Sequence, residues 1–254
     1  MGRMKGEHSM GTRRFDVSVA SLVPWSLGSG GPVRAYQMAV DAGFNGLQLL
    51  PLRGWSMDSV RRLPNRGVIA WEGAWNYGSL WKVVQRVTGR AGEDHPLPID
   101  WVVFGRDPMD PQIFGRCFQN ALHVSHDSRE RQSVYELHPE GGLPTTGLAS
   151  LCWDTWHTRR PYRNGDPSPF QWKRLLEKWK DQIALIHVHP VGPEISSLLA
   201  GQTKGELQDM LRLLATQTKT QVSIVLEVAP TFGTRAQAVR YLSQLRQSIA
   251  EIMG

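Results

Sequence analysis

The sequence predicts an α/β chain folded as a single-domain, closed (β/α)8 barrel. Three observations point there. Eight strand-like apolar runs recur at intervals of roughly thirty residues, amphipathic helical stretches alternate with them, and no phosphate-loop or dinucleotide glycine pattern follows the first run. The runs fall at 15–20, 46–50, 67–71, 101–104, 133–137, 150–154, 183–189 and 222–228. An open doubly wound sheet is disfavoured because Gly28-Ser-Gly-Gly31 has the wrong spacing and lacks the lysine of a phosphate loop.

Helical periodicity appears at 32–42, 57–62, 78–88, 111–123, 168–180, 203–217 and 234–252, with a weak stretch after the fifth strand. Pro32 opens the first of these and Gly43, after Ala42, closes it, in the order that helix ends favour. Thr203-Lys-Gly-Glu206 reads as a capping box before an apolar face of Leu207, Met210, Leu211 and Leu214. Thr234-Arg-Ala-Gln237 reads as another, ahead of Val239, Leu242, Ile249 and Ile252. The Pro-rich stretch 94–99 lies between a helix and the next strand. In a barrel that is the stability face, so His95 is expected to be structural.

Composition fits a folded globular chain: 254 residues, 41% hydrophobic and 20% charged. No apolar run is long enough to span a bilayer, and the basic start has no apolar segment behind it. We therefore expect a cytoplasmic protein with no membrane partner, a flexible segment at 1–14 and one barrel domain over 15–254. Cys117 and Cys152 show neither zinc-clip nor disulfide spacing and read as reduced core thiols. A net charge of +6 suits an anionic partner, either a phosphorylated or acidic small molecule or a nucleic acid. The lysines and arginines are scattered, as on a solvated basic surface.

In a barrel, chemistry collects at the carboxyl ends of the strands. The last four strands each place an acid or a histidine there: Glu136 and His138 on the fifth, Asp154 and His157 on and after the sixth, His187 and His189 on the seventh, and Glu227 on the eighth. By alternation His187 and His189 share a face, as do Glu136 and His138. Each residue has a structural reading of its own. Asp154 can cap a turn, His157 or His138 can be a loop residue, His187 a hydrogen-bonded core histidine, and Glu227 the partner of a barrel arginine. Buried charges are costly unless paired or metal-bound, and converging carboxylates and imidazole suit one divalent ion, Mn²⁺, Co²⁺, Mg²⁺ or Zn²⁺. Six tryptophans, Trp25, Trp55, Trp71, Trp75, Trp153 and Trp156, fall at or just after strand ends, where indoles line small-molecule pockets or plug the barrel top. Arg159, Arg160 and Arg235 stand where an anionic group can be held.

Leu-Cys-Trp-Asp154-Thr-Trp-His157 resembles the Leu-Asp-Thr-x-His of the xylose isomerase-like TIM-barrel superfamily, which holds sugar isomerases and epimerases, inosose dehydratases and endonuclease IV. Val40-Asp-Ala-Gly-Phe-Asn-Gly-Leu-Gln-Leu49, Ile-His-Val-His189 and Ile-Val-Leu-Glu227 continue the likeness over nearly the whole chain. The resemblance implies one divalent ion held by Glu136, Asp154, His189 or His187, and Glu227, with His157 against substrate. It also implies an isomerase or epimerase of a small sugar, sugar phosphate or polyol, with Glu136 and Glu227 moving a proton through an enediolate. Trp25, Trp156, Arg159 and Arg235 complete the expected substrate contacts. Two departures stand out. Gln48 occupies the place of a second-strand glutamate. The further histidines and Asp-x-His of the nuclease branch have no counterpart in Trp71-Glu-Gly-Ala, Val103-Phe-Gly or Pro190-Val-Gly-Pro-Glu. These departures weigh against a nucleic-acid-cleaving enzyme of the endonuclease IV type; the remaining alternative is a barrel that binds carbohydrate without catalysis.

Overall fold

A computed structural model describes residues 13–28, 30–49, 62–63, 68–73, 101–104, 132–136, 150–159, 171–218 and 222–254. Its eight strands are β1 (Phe15–Ser18), β2 (Gly46–Leu49), β3 (Val68–Gly73), β4 (Trp101–Phe104), β5 (Gln132–Glu136), β6 (Ser150–Asp154), β7 (Ile183–Val188) and β8 (Ser223–Leu226). They pair in parallel in chain order and close, β8 onto β1, into the barrel that the sequence predicts.

Register decides which residues share a level. Asp154 pairs with His187, His187 with Val225, and Val225 with Asp16, so these four stand side by side across β6, β7, β8 and β1. All are buried. Successive side chains alternate between the two faces of a strand, and the intervening Phe15, Trp153, Ile186 and Ile224 belong to the apolar layer shared with the helices. Trp153 donates its indole N–H to the sulfur of Met210, 3.3 Å away. Full burial of such side chains stabilises by about 1.5–3 kcal/mol each.

The first strand ends earlier than the apolar run suggests. Ser18 Oγ accepts from the Ala20 N–H and opens a 3-10 turn (Val19–Leu22), which leads into a short helix, α1 (Val23–Ser26). The next, α2 (Gly31–Asp41), has Pro32 in its first turn. It stops where Gly43 takes φ 86°: the Gly43 N–H reaches Val40 O and the Phe44 N–H reaches Ala39 O, a paired closure that needs the left-handed residue.

Helices α3 (Gln171–Trp179), α5 (Glu206–Gln217) and α6 (Arg235–Met253) match the periodic stretches, but α4 (Pro193–Leu199), after β7, has no counterpart among them. The Thr234–Gln237 capping box forms. The one expected at Thr203 does not: Gly205, at φ 144° and ψ 162°, is the N-cap and gives no side-chain cap bond. An extended glycine stops the helix from starting any earlier. Helices expected at 78–88 and 111–123, all but Arg62 of the one at 57–62, and His95 and Cys117 lie outside the described residues. Cys152 is fully buried in the core, as expected. Of the segment expected to be flexible, Arg13 is bonded to Ala215 O and Arg14 to Asp16. Among the described residues, no helix is long and apolar enough to cross a membrane.

Candidate metal centre

Asp154 ends β6, and its two carboxylate oxygens do different work. Oδ1 accepts from the backbone N–H groups of Trp156 at 2.6 Å and His157 at 2.8 Å, capping the 3-10 turn that follows. That fixes the carboxylate plane. Oδ2 is buried with no hydrogen-bond partner, and three imidazole Nδ1 atoms surround it: His157 at 3.5 Å, His187 at 3.9 Å and His189 at 4.0 Å. The turn-capping reading of Asp154 is met by Oδ1, while Oδ2 is left facing the three imidazoles.

Glu227 reaches the same point from the residue after β8, its Oε2 lying 3.9 Å from His187 Nδ1 and from His189 Nδ1. One ligand atom each from Asp154, His189 and Glu227 lies within 4.8 Å of the others. A divalent ion bonds such atoms at about 2.0–2.2 Å, so ligands across it stand about 3–4.4 Å apart. The distances from His189 Nδ1, 4.0 Å to Asp154 Oδ2 and 3.9 Å to Glu227 Oε2, fall in that span.

The charge pattern asks for a cation. Two ionised carboxylates within 4.8 Å repel by at least about 3.5 kcal/mol at an effective dielectric constant near 20. Asp154 Oδ2 and the equally buried His187 Nδ1 each forgo a hydrogen bond, a penalty of about 1–3 kcal/mol apiece. A divalent ion at the shared point would satisfy all of these atoms together. Oxygen and imidazole donors suit Mn²⁺, Mg²⁺, Co²⁺ and Zn²⁺ alike.

Two loops are laced together to hold this geometry. The Thr155 N–H donates to His187 O, and Thr155 Oγ1 accepts from the His189 N–H at 2.8 Å. Arg159 donates from Nε to Thr155 O and pairs through both terminal nitrogens with Glu194, which also accepts from the Val191 N–H at 3.0 Å. Sequence reasoning gave Thr155 no role of its own although it stands in the Asp-Thr-x-His match, and it missed Glu194, because a helix-start acid carries no motif. It noted Gln48 only as a departure, yet Gln48 is buried and bonds both His187 and Glu227. A polar residue within an apolar strand was the available signal.

The other expected site residues divide. Trp156 stands beside the centre, its ring 6.2 Å from that of His189 and tilted 45°. His157 lies against Asp154. Trp25 is in α1, packed against the core cluster. Trp153 does not rim the mouth, because it is buried against Met210 on the helix side. Arg159 is paired with Glu194, and Arg235, half exposed, with Asp41. Glu136 is the last residue of β5 and the register partner of Cys152, two residues before Asp154. Trp71 lies in β3, while Trp55, Trp75, His138 and Arg160 lie outside the described residues.

No family model and no curated protein sequence matches the chain. Solved structures do. Endonuclease IV from Thermus thermophilus superposes with a TM-score of 0.50 at 15% identity, covering 94% of this chain and 99% of that one. A sugar phosphate isomerase/epimerase from Parabacteroides distasonis superposes with a TM-score of 0.52 at 11% identity, covering 98% of each chain. At such identities the likeness carries the fold and not the chemistry. That fold is the closed parallel barrel which the sequence predicts.

Proposed function

We propose that the protein is a divalent-metal-dependent isomerase or epimerase of a small sugar, sugar phosphate or polyol. The observation that carries this reading is the convergence of Asp154, His189 and Glu227 within 4.8 Å at the carboxyl ends of three adjacent strands. A divalent ion bound there supplies polarisation of a substrate carbonyl and its neighbouring hydroxyl, which makes the intervening C–H proton easier to remove. Asp154 and His189 hold the ion, and Glu227 and Glu136 complete the set.

Glu227 keeps 16% of its side chain exposed, against 1% for Asp154, so it is the carboxylate of this group open to an incoming molecule. We assign it to one side of the proton transfer and Glu136, at the end of β5, to the other. One carboxylate takes the proton and the second returns it. His157 orients a substrate hydroxyl from beside Asp154, and Trp156 offers an apolar ring face to the C–H side of a sugar. Whether the outcome is isomerisation, epimerisation or dehydration depends on which carbon is held between the two carboxylates.

The test is solvent deuterium incorporation by the Mn²⁺-loaded protein across a panel of ketoses and their phosphates. Exchange at one carbon, lost in Glu227→Gln, is the expected result; unchanged exchange in that variant overturns the mechanism. Metal analysis separates the alternatives. About one ion per chain fits the isomerase, three zinc ions fit a nuclease of the endonuclease IV type, and none after incubation fits a carbohydrate-binding barrel.

A further inference from the structure

Gln48 joins two of the side chains that face the centre. It is fully buried in β2, its Nε2 lies 3.0 Å from Glu227 Oε1, and its Oε1 lies 2.7 Å from His187 Nε2. The chemistry of the partners sets the direction of both bonds. An ionised carboxylate only accepts, so the amide must turn its NH₂ toward Glu227. The amide oxygen then faces His187, and an oxygen only accepts, so His187 Nε2 carries the hydrogen.

In neutral imidazole a proton on one nitrogen leaves the other as a lone pair. For His187 that other nitrogen is Nδ1, which is buried, has no hydrogen-bond partner, and lies 3.9 Å from both Asp154 Oδ2 and Glu227 Oε2. A lone pair facing two carboxylate oxygens is repulsive unless a cation stands between them.

We propose that Gln48 is a positioning residue of the metal centre: its amide holds His187 in the Nε2–H form, presents Nδ1 to the ion as a further ligand, and at the same time fixes Glu227. The inference rests on the metal-centre reading above. It also accounts for an amide here. A glutamate at position 48 can accept from His187 but has no hydrogen for Glu227, and it sets two carboxylates about one hydrogen-bond length apart.

The experiment has two arms, neither of which uses activity. In the first, long-range ¹H–¹⁵N spectra of the histidine-labelled, metal-free protein report the tautomer of His187, identified by its absence from the spectrum of His187→Gln. The expected result is the Nε2–H form, with the Nδ1 resonance moving as Zn²⁺ is added. An Nδ1–H form, or an Nδ1 resonance unmoved in protein that has bound Zn²⁺, overturns the proposal. In the second arm, Co²⁺ titration of Gln48→Met, which keeps the length and loses both hydrogen bonds, should show affinity lowered by about 10–100-fold and an altered visible spectrum at saturation. Gln48→Glu should keep the Nε2–H form of His187 while disturbing Glu227. Wild-type affinity and an unchanged spectrum in a folded Gln48→Met variant overturn the proposal as well. Asp154→Asn distinguishes the two levels. If it binds Co²⁺ as wild type does, or if wild type binds none, the metal centre itself is refuted; if it loses Co²⁺ and Gln48→Met does not, only the role of Gln48 is refuted.

Discussion

Asp154 and His187 are direct register partners across β6 and β7, and an unbonded carboxylate oxygen of the first lies 3.9 Å from an unbonded ring nitrogen of the second. Both atoms are buried, so neither can turn to bulk water for its missing partner. Strand register has thus brought together two groups whose unmet bonds a cation between them would satisfy.

Ion binding should stabilise the fold measurably. At a free Mn²⁺ or Co²⁺ concentration of one hundred times Kd, the gain is about 2.7 kcal/mol, a rise in melting temperature on the order of 5–10 °C for a chain of this size. Thermal melts with and without the ion check this. Asp154→Asn should abolish the rise while leaving the metal-free melting temperature unchanged or higher, because the substitution removes one of two neighbouring negative charges.

Thr155→Val should be costly for a conservative change. Thr155 is buried, and its hydroxyl accepts from the His189 N–H. Losing the hydroxyl leaves that N–H unsatisfied, at about 1–3 kcal/mol in urea unfolding. Metal affinity should fall too, since the backbone that carries His189 loses its tie to the turn after Asp154.

The Arg159–Glu194 pair predicts a stability effect, not a loss of anion binding. Its side chains are 8% and 22% exposed, so solvent screens it only in part. Glu194→Ala should destabilise by about 1–2 kcal/mol, measured by urea unfolding. Phosphate protection against thermal unfolding should not decrease, because Arg159 is already committed within the chain.

Two neighbouring tryptophans should part company. Trp153→Phe removes a buried indole bonded to Met210 and should lower stability by about 1–2 kcal/mol, with metal affinity unchanged. Trp156→Ala should cost less stability and instead weaken sugar binding, because its ring stands next to His189. Unfolding curves and ligand titrations on both variants decide the matter.

The barrel was legible because its signal is repeated and local: apolar runs of strand length and helices of 3.6-residue period recur along the chain, and each need match only its own neighbourhood. Strand positions 101–104 and 150–154 agree with the observed bounds to the residue. Boundaries failed where one residue overrode the pattern, as when the Ser18 hydroxyl turned the chain out of β1 or extended Gly205 replaced Thr203 as the cap. The seven-residue helix α4 escaped because two turns hold too few apolar repeats to show a period. At the centre, the residue types and strand ends at Asp154, His189 and Glu227 were readable, since polar side chains at the ends of apolar strands stand out by contrast.

By itself, then, the sequence determined the architecture and the acids and histidines available at the carboxyl ends of the strands, all of which follow from periodicity and position along each strand. The tertiary structure alone decided the pairings. It turned Arg159 toward Glu194, sent Trp153 to Met210, placed Gln48 between His187 and Glu227, and gave one oxygen of Asp154 to a turn while burying the other among three imidazoles. Those partners come from strands and loops as much as 179 residues apart. Only barrel closure and strand register bring them within bonding distance, and neither is written in the local pattern of the chain.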